Sequence, residues 1–421
     1  MREGLASWRK GGPAFWKIAG AGAAFQAGAA AVDSATIVAS LVYQLTGNVF
    51  AVGTASAVLR LGWLLPQIVV GFLAQRAERR MPYYVVGAFG RAICLAAVAA
   101  LLGLAGNLPH GWLIAGFLLL WTLYAFVSGI VAVPYNDIVG RSIRSELRSR
   151  MLALRFFGGG VLALGVAALI HRLLAADDFL LAHAWVFALA SALMVISALS
   201  FVSAGEPALA RSASPKPGNF TVFMRGGWAV LRDDGRFRLF LYTQWLGGAT
   251  LMALPFYAVA ATELGLRPRD IAVLLAAQTA GALASNPVWG RIGDRLGKLR
   301  LLEGVAVLRL APPLGVLALL AADGAGSASL LAFAVLFVLL GALVNGMTIG
   351  YLGYLMEISP DDRRPAYSAY FNLLASPAAL LPLVGAAVVD LLSLWTVFAA
   401  AAAAAVLQLF LFRKLASLGP P

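Results

Sequence analysis

Charge is what this 421-residue chain has least of: Asp, Glu, Lys and Arg together make up 12% of it. Soluble domains carry roughly 25%, and the deficit is filled by apolar residues, which reach 61%. That balance excludes an ordinary water-soluble enzyme and points to lipid as the solvent. Cysteine is nearly absent. The single Cys94 rules out a disulfide framework and a thiolate metal cluster. Only three histidines occur, His110, His171 and His183, scattered as interfacial residues rather than clustered as metal ligands. The chain has no Gly-Lys-Ser/Thr phosphate loop, no His-Glu-x-x-His and no Gly-x-Ser-x-Gly, so it offers no ATP-driven, metallopeptidase or serine-hydrolase chemistry. No cofactor or metal is expected. The net charge of +13 would suit nucleic acid, but the basic residues sit in short loops between long apolar runs, so nucleic acid is not the expected partner.

Those runs are the positive signal. Stretches long enough to cross a bilayer start near Ala14, Phe50, Tyr83, Trp112, Met151 and Ala184, and again near Phe237, Ile271, Leu301, Leu330, Ala366 and Ser393. The spacing predicts about twelve transmembrane helices. The first run, from about Ala14 to Leu45, is far longer than the apolar region of a cleaved signal peptide. Lys and Arg gather on one side, as in Arg76, Arg79 and Arg80, then Arg141 to Arg150, then Arg291 to Arg300; the other side keeps Arg172, Arg267 and Arg269. Both termini are therefore expected in the cytoplasm, with the protein multi-pass in a bacterial inner (plasma) membrane.

The expected organisation is an N-terminal six-helix bundle over 1–204, a cytoplasmic linker over 205–236 and a C-terminal six-helix bundle over 237–421. Phe220, Phe223, Met224, Trp228 and Leu231 recur at helical spacing in the linker and predict an amphipathic surface helix. The two halves repeat one another. Each second span carries a late proline (Pro66, Pro287), followed by a Gly-rich basic loop and then a span with an arginine about ten residues in (Arg91, Arg309).

The loop Gly290-x-x-x-Asp294-Arg295-x-Gly297-Lys298 resembles the loop signature of the major facilitator superfamily. Its counterpart, Gly71 to Arg80, is degenerate, with Gln75 in the place of the acid. The resemblance implies an all-α membrane protein of two pseudo-symmetric six-helix bundles. It implies a secondary transporter of a small organic solute by alternating access, monomeric, with protons as coupling partner and the bilayer as medium, and not an enzyme. Likeness to bacterial efflux members suggests export. A facilitator or proton symporter for a nutrient stays open, as does a non-transporting scaffold. Gating is implied for the cytoplasmic loops and the acids that face them: Gly71, Arg76, Asp137, Gly290, Asp294, Arg295, Gly297, Lys298 and Glu357. Asp137 is expected to meet Arg76, and Glu357 to meet Arg295.

A charge at the bilayer centre costs about 2.5–3.5 kcal/mol on insertion scales and so demands a reason. Asp33 on span one and Arg60 on span two fall at similar depth and are expected to pair, as a proton-coupling site or a fixed ion pair. Arg91 and Arg309 are expected to brace helix ends. The resemblance puts the substrate cavity on spans one, four, seven and ten, helped by two, five, eight and eleven. Its polar and aromatic candidates are Gln26, Trp121, Tyr124, Ser128, Gln244, Gln278, Asn345, Thr348 and Tyr370. So few fixed charges favour a neutral or weakly polar solute.

Overall fold

The computed structural model describes residues 12–143, 145–176, 178–207, 228–322, 327–358 and 364–419. These are helical almost throughout, with no strand among them. Lipid leaves no water to satisfy an exposed peptide group, so a chain this apolar must close its hydrogen bonds within each segment. Eleven helical segments among the described residues are long and apolar enough to cross a membrane. Large apolar side chains such as Ile93, Trp112, Phe157 and Phe410 point outward, as a lipid-facing surface requires.

Spans two to six are continuous helices: Val49–Arg76, Met81–Gly103, His110–Ser142, Ser145–Leu173 and Phe179–Val202. Spans eight, ten and twelve are Pro268–Arg295, Ser327–Ile358 and Leu394–Ala416. The other four break. Span one is Pro13–Ala31 followed by Ile37–Thr46, with Asp33 in the gap. Span seven is Gly235–Leu251 followed by Phe256–Glu263. Span nine is Lys298–Leu308 followed by Ala311–Ala321, with Arg309 in the gap. Span eleven joins Arg364–Ala375 to Leu381–Leu391 through a 3₁₀ turn at Ser376–Leu380. In the linker, helix returns at 228–233 and Asp234 caps span seven by accepting from the Phe237 amide at 2.9 Å. Of the apolar stripe expected there, Phe220, Phe223 and Met224 lie outside the described residues.

The chain forms two compact units. One comprises Met1–Asp33 and Val58–Pro217; the other comprises Ser34–Ala57 and Gly218–Pro421. The outer part of span one and the start of span two thus belong to the second unit. Within each unit glycine sets the helix spacing. In the second, a Cβ at Gly281 would lie 2.7 Å from the carbonyl carbon of Val338, and one at Gly341 would lie 2.8 Å from that of Gln278. Spans eight and ten therefore pack backbone against backbone, the arrangement small residues permit in membranes.

Candidate functional site

The second unit contains a partly open cavity of about 230 Å³ lined by two broken spans. Span seven supplies Gln244, Thr250, Leu254 and Tyr257, and span nine supplies Arg309, Pro312 and Pro313. Span ten closes it with Met347, Thr348 and Tyr351. Irregular backbone is tolerated at membrane depth only where protein or a cavity covers it. Pro312 and Pro313 have no N–H to offer the Leu308 and Arg309 carbonyls, and the helix is interrupted at Arg309.

Arg309, at the C-terminal end of the Lys298–Leu308 helix, is buried, at 7% exposure. Its Nη1 donates to Gln408 Oε1 at 3.0 Å and to the Gly247 carbonyl at 3.4 Å. Gln408 Nε2 donates in turn to the Thr243 carbonyl (2.8 Å) and to Tyr351 Oη (3.0 Å). Every partner is neutral, and no carboxylate among the described residues lies within 4.0 Å of the guanidinium. Gln244 Oε1 is buried without a hydrogen-bond partner. The cavity wall thus holds a buried charge without a counter-ion among the described residues and a buried acceptor without a donor.

The first unit holds a second cluster. Arg91, 4% exposed, lies over the Phe25 ring at 4.4 Å from its centroid. Arg155 lies 6.0 Å from the same centroid and 5.0 Å from that of Tyr135. Arg155 Nη1 also donates to Tyr135 Oη at 2.9 Å. The two guanidinium carbons are thus within about 10 Å of each other. At an effective dielectric of 20, like charges so placed repel by roughly 1.6 kcal/mol or more. No carboxylate among the described residues pairs with either. The Nε of each is buried without a partner. Room for Arg155 comes from Gly22, where a Cβ would lie 2.5 Å from both Cγ and Cδ of the arginine.

The expected site residues distribute as follows. Gln244 and Thr348 line the cavity, and Asp33 lies where the Arg60 guanidinium senses its charge. Gln26 packs against Gly159 of span five, which explains that glycine. Trp121 and Tyr124 stack at 5.1 Å inside the first unit, both buried, with Ser128 one turn on. Asn345 Nδ2 ties span ten to span eight through the Ala282 carbonyl (2.8 Å) and Asn286 Oδ1 (3.1 Å). Gln278 Oε1 is buried without a partner, and Tyr370 belongs to the apolar core around Phe240. The expected lining residues are thus divided between the cavity and the packed interior. His183, expected at the interface, is 1% exposed, with Nδ1 2.8 Å from the Phe179 carbonyl.

At the loop ends, Asp137 is held by Arg141 at 2.7 Å and Arg80 at 3.5 Å. Glu206, just past span six, takes Arg141 at 2.8 Å and accepts from the amides of Arg80 (2.8 Å) and Met81 (2.9 Å), so it caps span three. Burial pushes the Glu206 pKa up, but these hydrogen bonds outweigh it and hold the group below the ordinary carboxylate range. Sequence reasoning missed Glu206 because it reads as the first residue of a polar linker. The side chains of Arg76 and Asp294, and Gly71, lie outside the described residues. Gly297 turns the chain into span nine at φ 87°, Gly290 lies in span eight with open space beside it, and Arg295 is exposed. Lys298, not Arg295, is the cation whose charge acts on Glu357. Lys298 crosses span ten at Gly353, where a Cβ would lie 2.8 Å from its Cδ.

Residues 246–421 match the family model of the Major Facilitator Superfamily. Uncharacterized proteins of Mycobacterium bovis and Mycobacterium tuberculosis are 25% identical over 190 residues, which is 45% of this chain and 36% of theirs. The match spans about a third of the length of those relatives. Over nearly the whole chain the fold is that of solved transporters. The nucleoside transporter NupG superposes with a TM-score of 0.73 at 12% identity, covering 96% of this chain and 99% of that one. A bacterial homologue of the iron transporter ferroportin gives 0.68 at 15% identity, over 96% and 98%. The POT family transporter PepTSo gives 0.69 at 12%, over 96% and 97%. At these identities the likeness is one of fold.

Proposed function

We propose that the chain is a major facilitator throughout, a secondary transporter that carries a small organic solute across a membrane by alternating access. The observation that carries this reading is the placement of the helix breaks. Spans seven and nine interrupt their helices at a shared cavity, and both the cavity and the break in span one hold a charged residue. Discontinuous helices near the bilayer midplane are the usual seat of substrate and coupling ion in such folds. The family match over the second half and the fold over the whole chain support the same reading.

Within it, Asp33 is the proton-coupling group and Arg60 the charge that tunes it. Asp33 sits between two helical segments, where its neighbours can change without unwinding a helix. Proton entry would supply about 2.3 kcal/mol per 100 mV. The direction proposed is export, from the resemblance alone, across a bacterial inner membrane with the basic loops inside.

Flux in proteoliposomes tests the reading, with candidate solutes and an imposed pH gradient. Concentrative movement that collapses with the gradient is expected. Asp33→Asn should abolish accumulation while leaving solute exchange intact. Accumulation that survives in Asp33→Asn would reassign the coupling group. Opposite gradients in inside-out and right-side-out vesicles separate export from import.

A further inference from the structure

The sequence alone favoured a neutral solute. We infer instead that the first unit carries a subsite for an organic oxyanion, a carboxylate or phosphate held between Arg91 and Arg155 beside Phe25 and Tyr135. This deepens the transport reading and rests on it for the role of the site, though not for its existence.

The argument starts from the cost of the cluster as it stands. Arg91 is 4% exposed and has no acidic partner among the described residues, and its Nε is buried and unpaired. Arg155 adds a second guanidinium at the same ring, with an unpaired buried Nε of its own. An ion pair that only fixed helix packing would include an acid. Two cations without one oppose packing, since each electrostatically raises the cost of the other. Arginine is the side chain whose planar fork matches carboxylate and phosphate, two N–H groups to two oxygens. One oxyanion between the forks would neutralise the repulsion and occupy the free donors. Tyr135 fixes the direction of approach by engaging Nη1 of Arg155 and leaving Nε to the guest. Phe25 offers an apolar ring beside the charge, suited to the organic body of the solute.

The elements bring these groups to one level. Arg91 and Arg155 each lie ten residues from the start of their helix, at Met81 and Ser145. At 1.5 Å per residue both are about 15 Å in. Gly22 is part of the device, because any side chain there would displace Arg155.

Full-length protein in detergent, melted with benzoate, phenyl phosphate or the neutral benzamide, tests the inference. Both anions should raise the melting temperature and benzamide should not; the tighter of the two assigns carboxylate or phosphate. Arg155→Gln should weaken that binding at least about tenfold. Gly22→Ala keeps every charge and should weaken it by displacing Arg155, which covers the case in which Arg155→Gln fails to fold. Stabilisation by neither anion, or equal stabilisation of wild type and both variants, overturns the subsite. Counterflow of neutral sugars or nucleosides with no anion binding also overturns it and leaves transport standing. Anion binding that disappears in the variants, with no flux of any solute, supports the subsite and counts against transport instead.

Discussion

At the scale of single residues, the electrostatics of the loop ends differ from those of the interior. Glu206 is where a prediction is sharpest, because it lies outside the spans and joins three donors at once. Its folded pKa is held below the ordinary value, so it adds stability above the unfolded carboxylate pKa and loses it as the pH falls through the folded one. Thermal melts in detergent should therefore show Glu206→Gln less stable than wild type at pH 7, by about 1–3 kcal/mol for charged hydrogen bonds lost. The gap should close as the pH drops below about 4. A gap that is independent of pH would mean that the carboxylate's charge does not contribute. Arg309 is held by neutral acceptors instead. Removing its guanidinium leaves Gln408 Oε1 and the Gly247 carbonyl without that donor, at about 1–3 kcal/mol for a buried polar group left unsatisfied. Arg309→Met should thus melt lower than wild type, and lose transport as well if the guanidinium holds the guest. Retained flux would return Arg309 to a packing role. Little of this was legible in the sequence. Arg155 falls about one turn into the apolar run of span five, close behind the basic loop that ends at Arg150, and its position alone does not say which way it faces; the hole left by Gly22, on a different helix, shows that it turns inward.

At the scale of helices, hydropathy revealed the number of apolar runs, because twenty apolar residues in lipid have one inexpensive conformation. It did not reveal the breaks. Leu308 and Ala311 flank the gap in span nine, and the window average stays apolar across it. The signal was present in Pro312-Pro313 and Leu254-Pro255, but a proline in a membrane helix kinks it as often as it ends it, and neighbours decide which. Pro66, Pro134 and Pro287 lie inside continuous helices of this same chain. The break in span nine can be tested as an element. Pro313→Ala restores an N–H for the Arg309 carbonyl and should let the helix close over it. Melting temperature should hold or rise while substrate flux falls severalfold. A variant that transports at the wild-type rate would show that the break itself is not needed.

At the scale of the molecule, the division into units cuts across the sequence repeat. Ser34–Ala57 belongs to the first repeat by sequence and to the second unit by packing. There Tyr43 donates its hydroxyl to Glu263 Oε1 at 2.9 Å, and Ser56 donates to the Ser34 carbonyl at 3.3 Å. The segment also packs closely at Gly53, whose Cβ, if it had one, would stand 2.6 Å from the Pro382 carbonyl oxygen. Backbone cannot yield as a flexible side chain does, so this position admits nothing larger than hydrogen. In the alternating-access cycle proposed above, this contact is expected to form in one state and release in the other. Gly53→Leu should therefore penalise the packed state selectively. Moving a two-state equilibrium from 1:99 to 99:1 takes about 5.5 kcal/mol, and overpacking costs of roughly 1–3 kcal/mol fall short of that but still shift populations about 5- to 150-fold. The readout is simple because Cys94 is the sole cysteine. In a Cys94→Ser background, a cysteine placed at buried Ser56 should react slowly with a small maleimide. Adding Gly53→Leu should speed that labelling by the same factor as the population shift and depress flux with it. Unchanged labelling with a normal melting temperature would mean that the close contact at Gly53 is static packing, and that the cycle releases the molecule somewhere else.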